Sequence, residues 1–206
     1  MGLKELIQEL KADGIKDKAV LSAFQKVPRK NFIPEHLKHR AYEDIPLPVG
    51  FNQTISQPYT VAFMLQELEI KKGDKILEIG TASGWNAALM SKLTGSKGKV
   101  FTTEIIPELA VEAKKKLSKL KNVKVISTDG SIGLKESSPF DKILVACACP
   151  KIPKELISQL KENGILIAPV GSLKEQKLIK ITKSKQIKEE ILGNFVFVPL
   201  KGKYGF

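Results

Sequence analysis

From Thr60 to Pro169, short apolar runs alternate with stretches of helical period, and this alternation constrains the fold more than any other feature of the chain. Residues 60–70 (TVAFMLQELEI) have a helical pattern, closed by a turn at Lys72-Gly73-Asp74. Ile76–Ile79 predicts a strand and Trp85–Leu93 a helix. Val100–Thr103 predicts a second strand. Pro107–Leu120 predicts a helix with proline in its first turn, where the missing N–H costs nothing. Val123–Ser127 and Lys142–Ala146 predict further strands, Pro153–Leu160 a helix, and Ile165–Pro169 a strand. Strands separated by helices pair in parallel, and the helices cover both faces of the sheet. The expected class is α/β, a doubly wound and mostly parallel sheet.

The flanks differ. Residues 2–12 and 16–27 place Leu3, Ile7, Leu10, Val20, Leu21 and Phe24 at helical spacing, so an N-terminal helical extension is expected. The tract that follows contains Pro34, Pro46, Pro48 and Pro58, which excludes a long helix. A connection of this length in a compact domain usually has a function. Towards the other end, Leu178–Thr182 and Phe195–Leu200 are β-like, with no convincing helix between them. They predict an antiparallel pair at one sheet edge. The 206 residues are therefore expected to form one domain. Residues 1–60 supply helices and a loop, 61–171 the core, and 172–206 a β extension.

The chain carries 34 basic and 22 acidic residues, a net charge of +12. Such a charge draws attention to nucleic acid. However, only Arg29 and Arg40 are arginines, and lysine is a solvated point charge rather than a bidentate reader. The densest cluster, Lys114 to Lys124, predicts a solvated helix face followed by a strand. Cys147 and Cys149 are too close for good disulfide geometry and match no zinc or C-x-x-C spacing. No metal site is expected. The N-terminus shows no signal-peptide pattern, and no apolar run approaches the ~20 residues that span a bilayer. A soluble, cytoplasmic protein without membrane partners is expected.

The informative loop is Leu77-Glu78-Ile79-Gly80-Thr81-Ala82-Ser83-Gly84-Trp85. A strand enters a glycine-containing loop that opens a helix, and in doubly wound sheets ligands bind against such loops. Alanine at 82 and tryptophan at 85 fit a dinucleotide fingerprint badly, and no lysine completes a P-loop. Glu104 ends the second strand, where a carboxylate can accept both hydroxyls of a ribose. Asp129-Gly130 follows the third strand, where an Asp can meet an adenine amino group. The E-x-G-x-x-S-G pattern resembles motif I of class I S-adenosylmethionine-dependent methyltransferases, whose Rossmann-like sheet is the fold expected here. The resemblance implies S-adenosylmethionine as cofactor and S-adenosyl-L-homocysteine as product. Glu78, Gly80, Thr81, Ala82, Ser83, Gly84, Glu104, Asp129 and Gly130 are its expected cofactor residues.

A second resemblance is more specific. The tract Pro46-Leu47-Pro48 followed by Gln53-Thr54-Ile55-Ser56-Gln57-Pro58 resembles the hallmark of protein-L-isoaspartate O-methyltransferases. It extends through Arg29, Phe32-Ile33-Pro34, Phe140-Asp141-Lys142-Ile143, Ile152-Pro153, Pro169-Val170-Gly171 and Phe197-Val198-Pro199-Leu200. The family methylates the α-carboxylate of L-isoaspartyl residues in damaged proteins. The ester then cyclises to a succinimide, whose hydrolysis restores some normal aspartate. The resemblance implies Ser56 as the catalytic residue, with Gln53, Thr54 and Ile55 lining the cofactor and substrate pocket. Isoaspartyl proteins and peptides are the expected partners, and a monomer the expected state.

A carboxylate is ionised at neutral pH, so this chemistry needs no general base. His36 and His39 accordingly lie outside the strand-end motifs. The alternative on the same core is a methyltransferase acting on nucleic acid. Adenine-N6 enzymes carry N/D-P-P-Y/F after the fourth strand. Here Ala146-Cys147-Ala148-Cys149-Pro150 lacks both the acceptor amide and the stacking aromatic, so no nucleic-acid partner is expected. Several positions depart from the family pattern. Ala82 and Asn52 stand where glycine is common, and alanine is strained if position 82 needs a positive φ. Lys161-Glu162-Asn163-Gly164 replaces a proline-glycine-glycine turn, a change expected to be tolerated at the surface. Trp85 stands where tyrosine is frequent, and its fluorescence is expected to report cofactor binding.

Overall fold

A computed structural model describes all 206 residues. Two helices open the chain, α1 (Leu3–Ala12) and α2 (Lys18–Lys26). Asp17 starts α2 by accepting the N–H groups of Ala19 and Val20 at its side chain. Short 3₁₀ turns lead to a small hairpin of β1 (Leu47–Gly50) and β2 (Gln53–Ile55). At its tip Phe51 and Asn52 both have positive φ, 54° and 57°. The structure thus puts Asn52 in the region where the family's glycine is at ease, which asparagine tolerates. Phe51 is a second such position, unmarked by residue type.

The core alternates as expected. It comprises α3 (Pro58–Leu68), β3 (Lys75–Ile79), α4 (Trp85–Thr94), β4 (Lys99–Glu104), α5 (Pro107–Leu117), β5 (Val123–Ser127), β6 (Phe140–Val145) and α6 (Lys154–Gln159). The last strands are β7 (Leu160–Gly171), β8 (Gln176–Lys183) and β9 (Ile187–Phe195). The seven-stranded sheet runs β5-β4-β3-β6-β7-β8-β9. Pairing is parallel from β5 to β7 and antiparallel from β7 to β9. Chain order reverses between β3 and β6, which creates the crevice where doubly wound folds bind ligands.

Period-two alternation serves two cores. Leu144, Ile165 and Ile167 join the cluster shared with α1 to α5. Ile143, Val145, Leu166 and Ala168 point to the opposite face, packed by Leu156 of α6. Both faces are apolar, which is why these strands read as continuous hydrophobic runs.

Two sequence expectations shift here. The edge strand is Ile187–Phe195, not Phe195–Leu200. Its first five residues, Ile187 to Ile191, are exposed on both faces and include Lys188, Glu189 and Glu190, so no apolar alternation marked it. Residues 197–200 instead fold back to the sheet, where Ala148 N–H donates to the Val198 carbonyl and Leu200 N–H to the Ala148 carbonyl. Lys161 to Asn163 are exposed, in keeping with a change at the surface, but with Gly164 they begin β7 ahead of the expected Ile165, where the register with β6 shifts. Asn163 takes φ 60° there, so asparagine serves in place of glycine.

Candidate active site

At the carboxyl ends of β3 and β4 a narrow cleft opens. Its floor is Ile79, Gly80, Ala82 and Thr103, with Gly130 beside them. Gly80 has φ 93°, a conformation that side chains rarely adopt. Ala82 has φ 43°, so the strain foreseen for alanine at this position is present. What holds it there is Glu104. This nearly buried carboxylate accepts the N–H of Ala82 at 2.8 Å and that of Ile106 at 3.0 Å. Each oxygen keeps a lone pair for a further donor. Gln53 and Thr54 of β2 form one wall. Ile105, Ile106, Val198, Pro199 and Leu200 form an apolar slot opposite.

A second, wider cleft adjoins the first. Thr54, Ala146 and Val198 line both, so these three residues form the shared wall. Ser56, Gln57, Thr60 and Pro46 line the second cleft alone. Ser56 is half-buried, and its hydroxyl makes no hydrogen bond within the chain, although its carbonyl is held.

The loop that presents Ser56 is clamped by Arg29. This guanidinium is 1% exposed. It donates to the carbonyls of Ala41, Glu43, Ile45, Ile55 and Ser56 at 2.9–3.4 Å. It also lies over the Trp85 ring, 5.5 Å from the centroid. Burial lowers its pKa to about 10, although Asp44 and Glu43 pull the other way. Asp44 adds a second tie by accepting the Tyr59 N–H at 2.6 Å. One arginine therefore gathers backbone from residues 41–56, a tract with little secondary structure of its own.

Other residues expected at the cofactor build the cleft from behind. Glu78 is fully buried under the loop. It accepts from the Thr102 hydroxyl at 2.6 Å, and Thr102 is in turn bonded to Thr81 at 2.6 Å. Desolvation pushes its pKa up to about 8, against the pull of the Thr102 bond. Ser83 caps the following helix by accepting the Trp85 N–H, and Gly84 has φ 87°, with a Cβ there meeting the Leu117 side chain at 3.1 Å. Ile55 is buried in the hydrophobic core. The Asp129 carboxylate turns from the cleft to the Ser131 and Lys203 N–H groups, leaving Gly130 to line it. Trp85 also faces away. It packs edge-on against Phe24 at 5.0 Å and donates to the Val27 carbonyl. Its ring is therefore a monitor of the N-terminal helices rather than of the cleft.

Sequence reasoning missed Cys147 and the apolar slot. Both cysteines are free and buried. Burial raises the Cys147 thiol far above its ordinary range, so it lines the cleft as a neutral apolar group. The slot had one available signal, the exposed Ile105 directly after Glu104. Its other side comes from residues almost a hundred positions later, which no local pattern links to it.

The residues suit an adenosyl amino-acid ligand. The slot is apolar, Glu104 offers acceptors for a ribose, and Gly80 and Ala82 line the cleft, where Lys201 is the single basic residue and no arginine stands ready to grip a phosphate. A doubly wound sheet with this cleft at its switch point, floored by the Gly80-to-Gly84 loop and Glu104, fits a class I S-adenosylmethionine-dependent methyltransferase. Comparison with known proteins narrows the class. The family model for protein-L-isoaspartate(D-aspartate) O-methyltransferase matches residues 1–205. The protein-L-isoaspartate O-methyltransferase of Methanococcoides burtonii is 47% identical over 205 residues, covering 98% of this chain and 100% of the relative. That of Fervidobacterium nodosum is 49% identical over 199 residues, covering 95% and 100%. Among solved structures, one protein-L-isoaspartate O-methyltransferase superposes with a TM-score of 0.90 at 30% identity, over 98% of this chain and 67% of that one. A Plasmodium falciparum protein given the same name, solved in complex with S-adenosyl-L-homocysteine, gives 0.87 at 27% identity, over 98% and 99%. The chain belongs to the protein-L-isoaspartate O-methyltransferase family and is a SAM-dependent enzyme that methylates isoaspartyl residues of proteins.

Proposed function

We propose that the two adjoining clefts are the donor and acceptor halves of one carboxyl methylation site, with Ser56 on the acceptor side. The shared wall of Thr54, Ala146 and Val198 is the observation that carries this assignment. Bound S-adenosylmethionine supplies a methyl group on a sulfonium, which is both electrophile and leaving group. Glu104 accepts its ribose hydroxyls, the slot from Ile105 to Leu200 holds the adenine, and Gln53, Thr54 and the backbone at Gly80 and Ala82 hold the amino-acid end. The incoming isoaspartyl α-carboxylate is already ionised. The unbonded Ser56 hydroxyl donates to it and sets its angle of approach. Arg29 keeps that hydroxyl in place through the Ile55 and Ser56 carbonyls. No proton has to be removed, and His36 and His39 line neither cleft. Catalysis rests on alignment and on exclusion of water.

One chain supplies every wall of both clefts, which supports a working monomer. Two free cysteines fit a reducing compartment such as the cytoplasm. No helix is long and apolar enough to cross a membrane. The test is transfer of labelled methyl to an isoaspartyl peptide beside its normal aspartyl twin. Labelling of the isoaspartyl peptide alone, with base-labile methyl, is expected. Equal labelling of the twins, or none, overturns the assignment.

A further inference from the structure

A hollow wider than either cleft of the active site lies elsewhere on the molecule. It is a broad hollow open to solvent at the amino ends of β4 and β5. The carboxyl-end clefts are one strand length away, about 20 Å for a six-residue strand. Lys92 from the end of α4, Lys97 and Lys99 from the turn into β4 and its first residue, Lys119 and Lys121 from the segment between α5 and β5, and Lys124 from the start of β5 all line it. No acidic side chain lines it, and none of the six lysines takes part in an ion pair. The floor is held rigid by Asn122, which bonds the Ser91 hydroxyl and donates to the Ser91 and Gly95 carbonyls. The lysines expected on a solvated helix face thus divide. Lys116 turns inward to the Phe32 carbonyl, and Lys119 to Lys124 join lysines from two other segments around one hollow.

Six like charges held around a hollow repel one another unless a polyanion neutralises them. The cations are all lysines, point charges suited to single carboxylates spread along a chain rather than to bidentate phosphate. We propose that this cleft is an exosite for acidic segments of protein substrates, resting on the isoaspartyl methyltransferase assignment above. The chemistry is complementary. Each deamidation replaces a neutral amide with a carboxylate, so damaged proteins become more acidic. A tether about 20 Å from the acceptor cleft favours whole proteins over short peptides by raising the local concentration of the damaged residue.

The test compares two isoaspartyl substrates, a hexapeptide and the same hexapeptide joined by a Gly/Ser spacer of about 30 residues to six glutamates. Such a spacer reaches about 30 Å. At low salt the tailed substrate is expected to show a KM about tenfold lower at unchanged kcat. The variant Lys97→Gln/Lys121→Gln/Lys124→Gln should cut that advantage to less than twofold and leave the hexapeptide unaffected. The control Lys177→Gln/Lys185→Gln/Lys188→Gln, with equal charge loss on the far sheet edge, should keep it. Fluorescence anisotropy of a labelled glutamate tail, which needs no turnover, should show the same lysine dependence. An advantage that survives the cleft variant, or falls equally in the control, overturns the proposal. So does cleft-dependent binding of oligothymidylate without any gain from the glutamate tail. Tail binding in an enzyme that methylates neither substrate would strike the activity assignment and leave the acidic-segment site standing.

Discussion

The buried Glu78 makes the stability of this fold depend on pH in a direction opposite to that of most carboxylates. In the folded chain its pKa is about 8, against 4.5 for an exposed glutamate. Burial excludes the charged form, and only one oxygen has a partner, the Thr102 hydroxyl. Between those values the folded chain holds a proton that the unfolded chain has released. Rising pH therefore favours unfolding. The stability conferred by the neutral carboxyl is complete below about pH 4.5 and gone once the pH passes 8.

Each pH unit inside that window is worth about 1.4 kcal/mol. From pH 5 to pH 7 the loss is thus about 3 kcal/mol. Glu78→Gln retains the shape and cannot ionise, so the variant lacks this slope. The assay is urea unfolding of wild type and variant at steps from pH 5 to pH 8. All other titrations cancel in the difference between the two curves. That difference should move in the variant's favour by about 3 kcal/mol between pH 5 and 7. For a chain of this size, melting should shift by about 6–12 °C relative to wild type over the same range. Parallel curves, with the variant offset by a constant, would show that Glu78 is ionised in the fold and that the desolvation argument is mistaken.

Four further outcomes follow from the geometry. Ser56→Ala should lower kcat about 10- to 100-fold, as expected for loss of a hydrogen bond to a charged group; equal loss in S-adenosyl-L-homocysteine affinity, measured by calorimetry, would move Ser56 to the donor side. Ala82→Gly relieves about 1–2 kcal/mol of left-handed strain and adds up to ~1 kcal/mol of unfolded-state entropy, so melting should rise by a few degrees, and a fall would refute the strain. Arg29→Met strands five carbonyls and should destabilise by about 3–5 kcal/mol with a red shift of Trp85 emission, whereas Arg29→Lys should recover only part of the loss. Adding S-adenosyl-L-homocysteine to the wild type should change Trp85 fluorescence little, because its ring packs on Phe24 and Arg29; a deep quench would place the ring against the cleft.

What local pattern could reveal depended on whether the physical cause was local. The central strands β3, β6 and β7 are buried on both faces, so their apolar runs stood out against amphipathic helices, and the parallel sheet followed. Edge strand β9 is exposed on both faces from Ile187 to Ile191, and the consecutive charges Lys188, Glu189 and Glu190 concealed it. The same distinction governs the site. Gly80, Ala82 and Glu104 sit at fixed offsets from strand ends, and motif spacing located all three in the cleft. Glu78, Thr81 and Ser83 share that motif, yet the pleat of β3 and the turn after it send their side chains inward. Spacing marks a position on the chain, while the alternation of the strand decides which face that position serves. Arg29 shows the limit of local pattern most clearly. Its partners lie 12 to 27 residues away, and all are main-chain carbonyls, which carry no residue signature. A loop without regular structure was bound to need such an outside donor, because its buried carbonyls had to be satisfied. The sequence offered a single buried arginine for that task, and the acceptor side of the active site is organised around it.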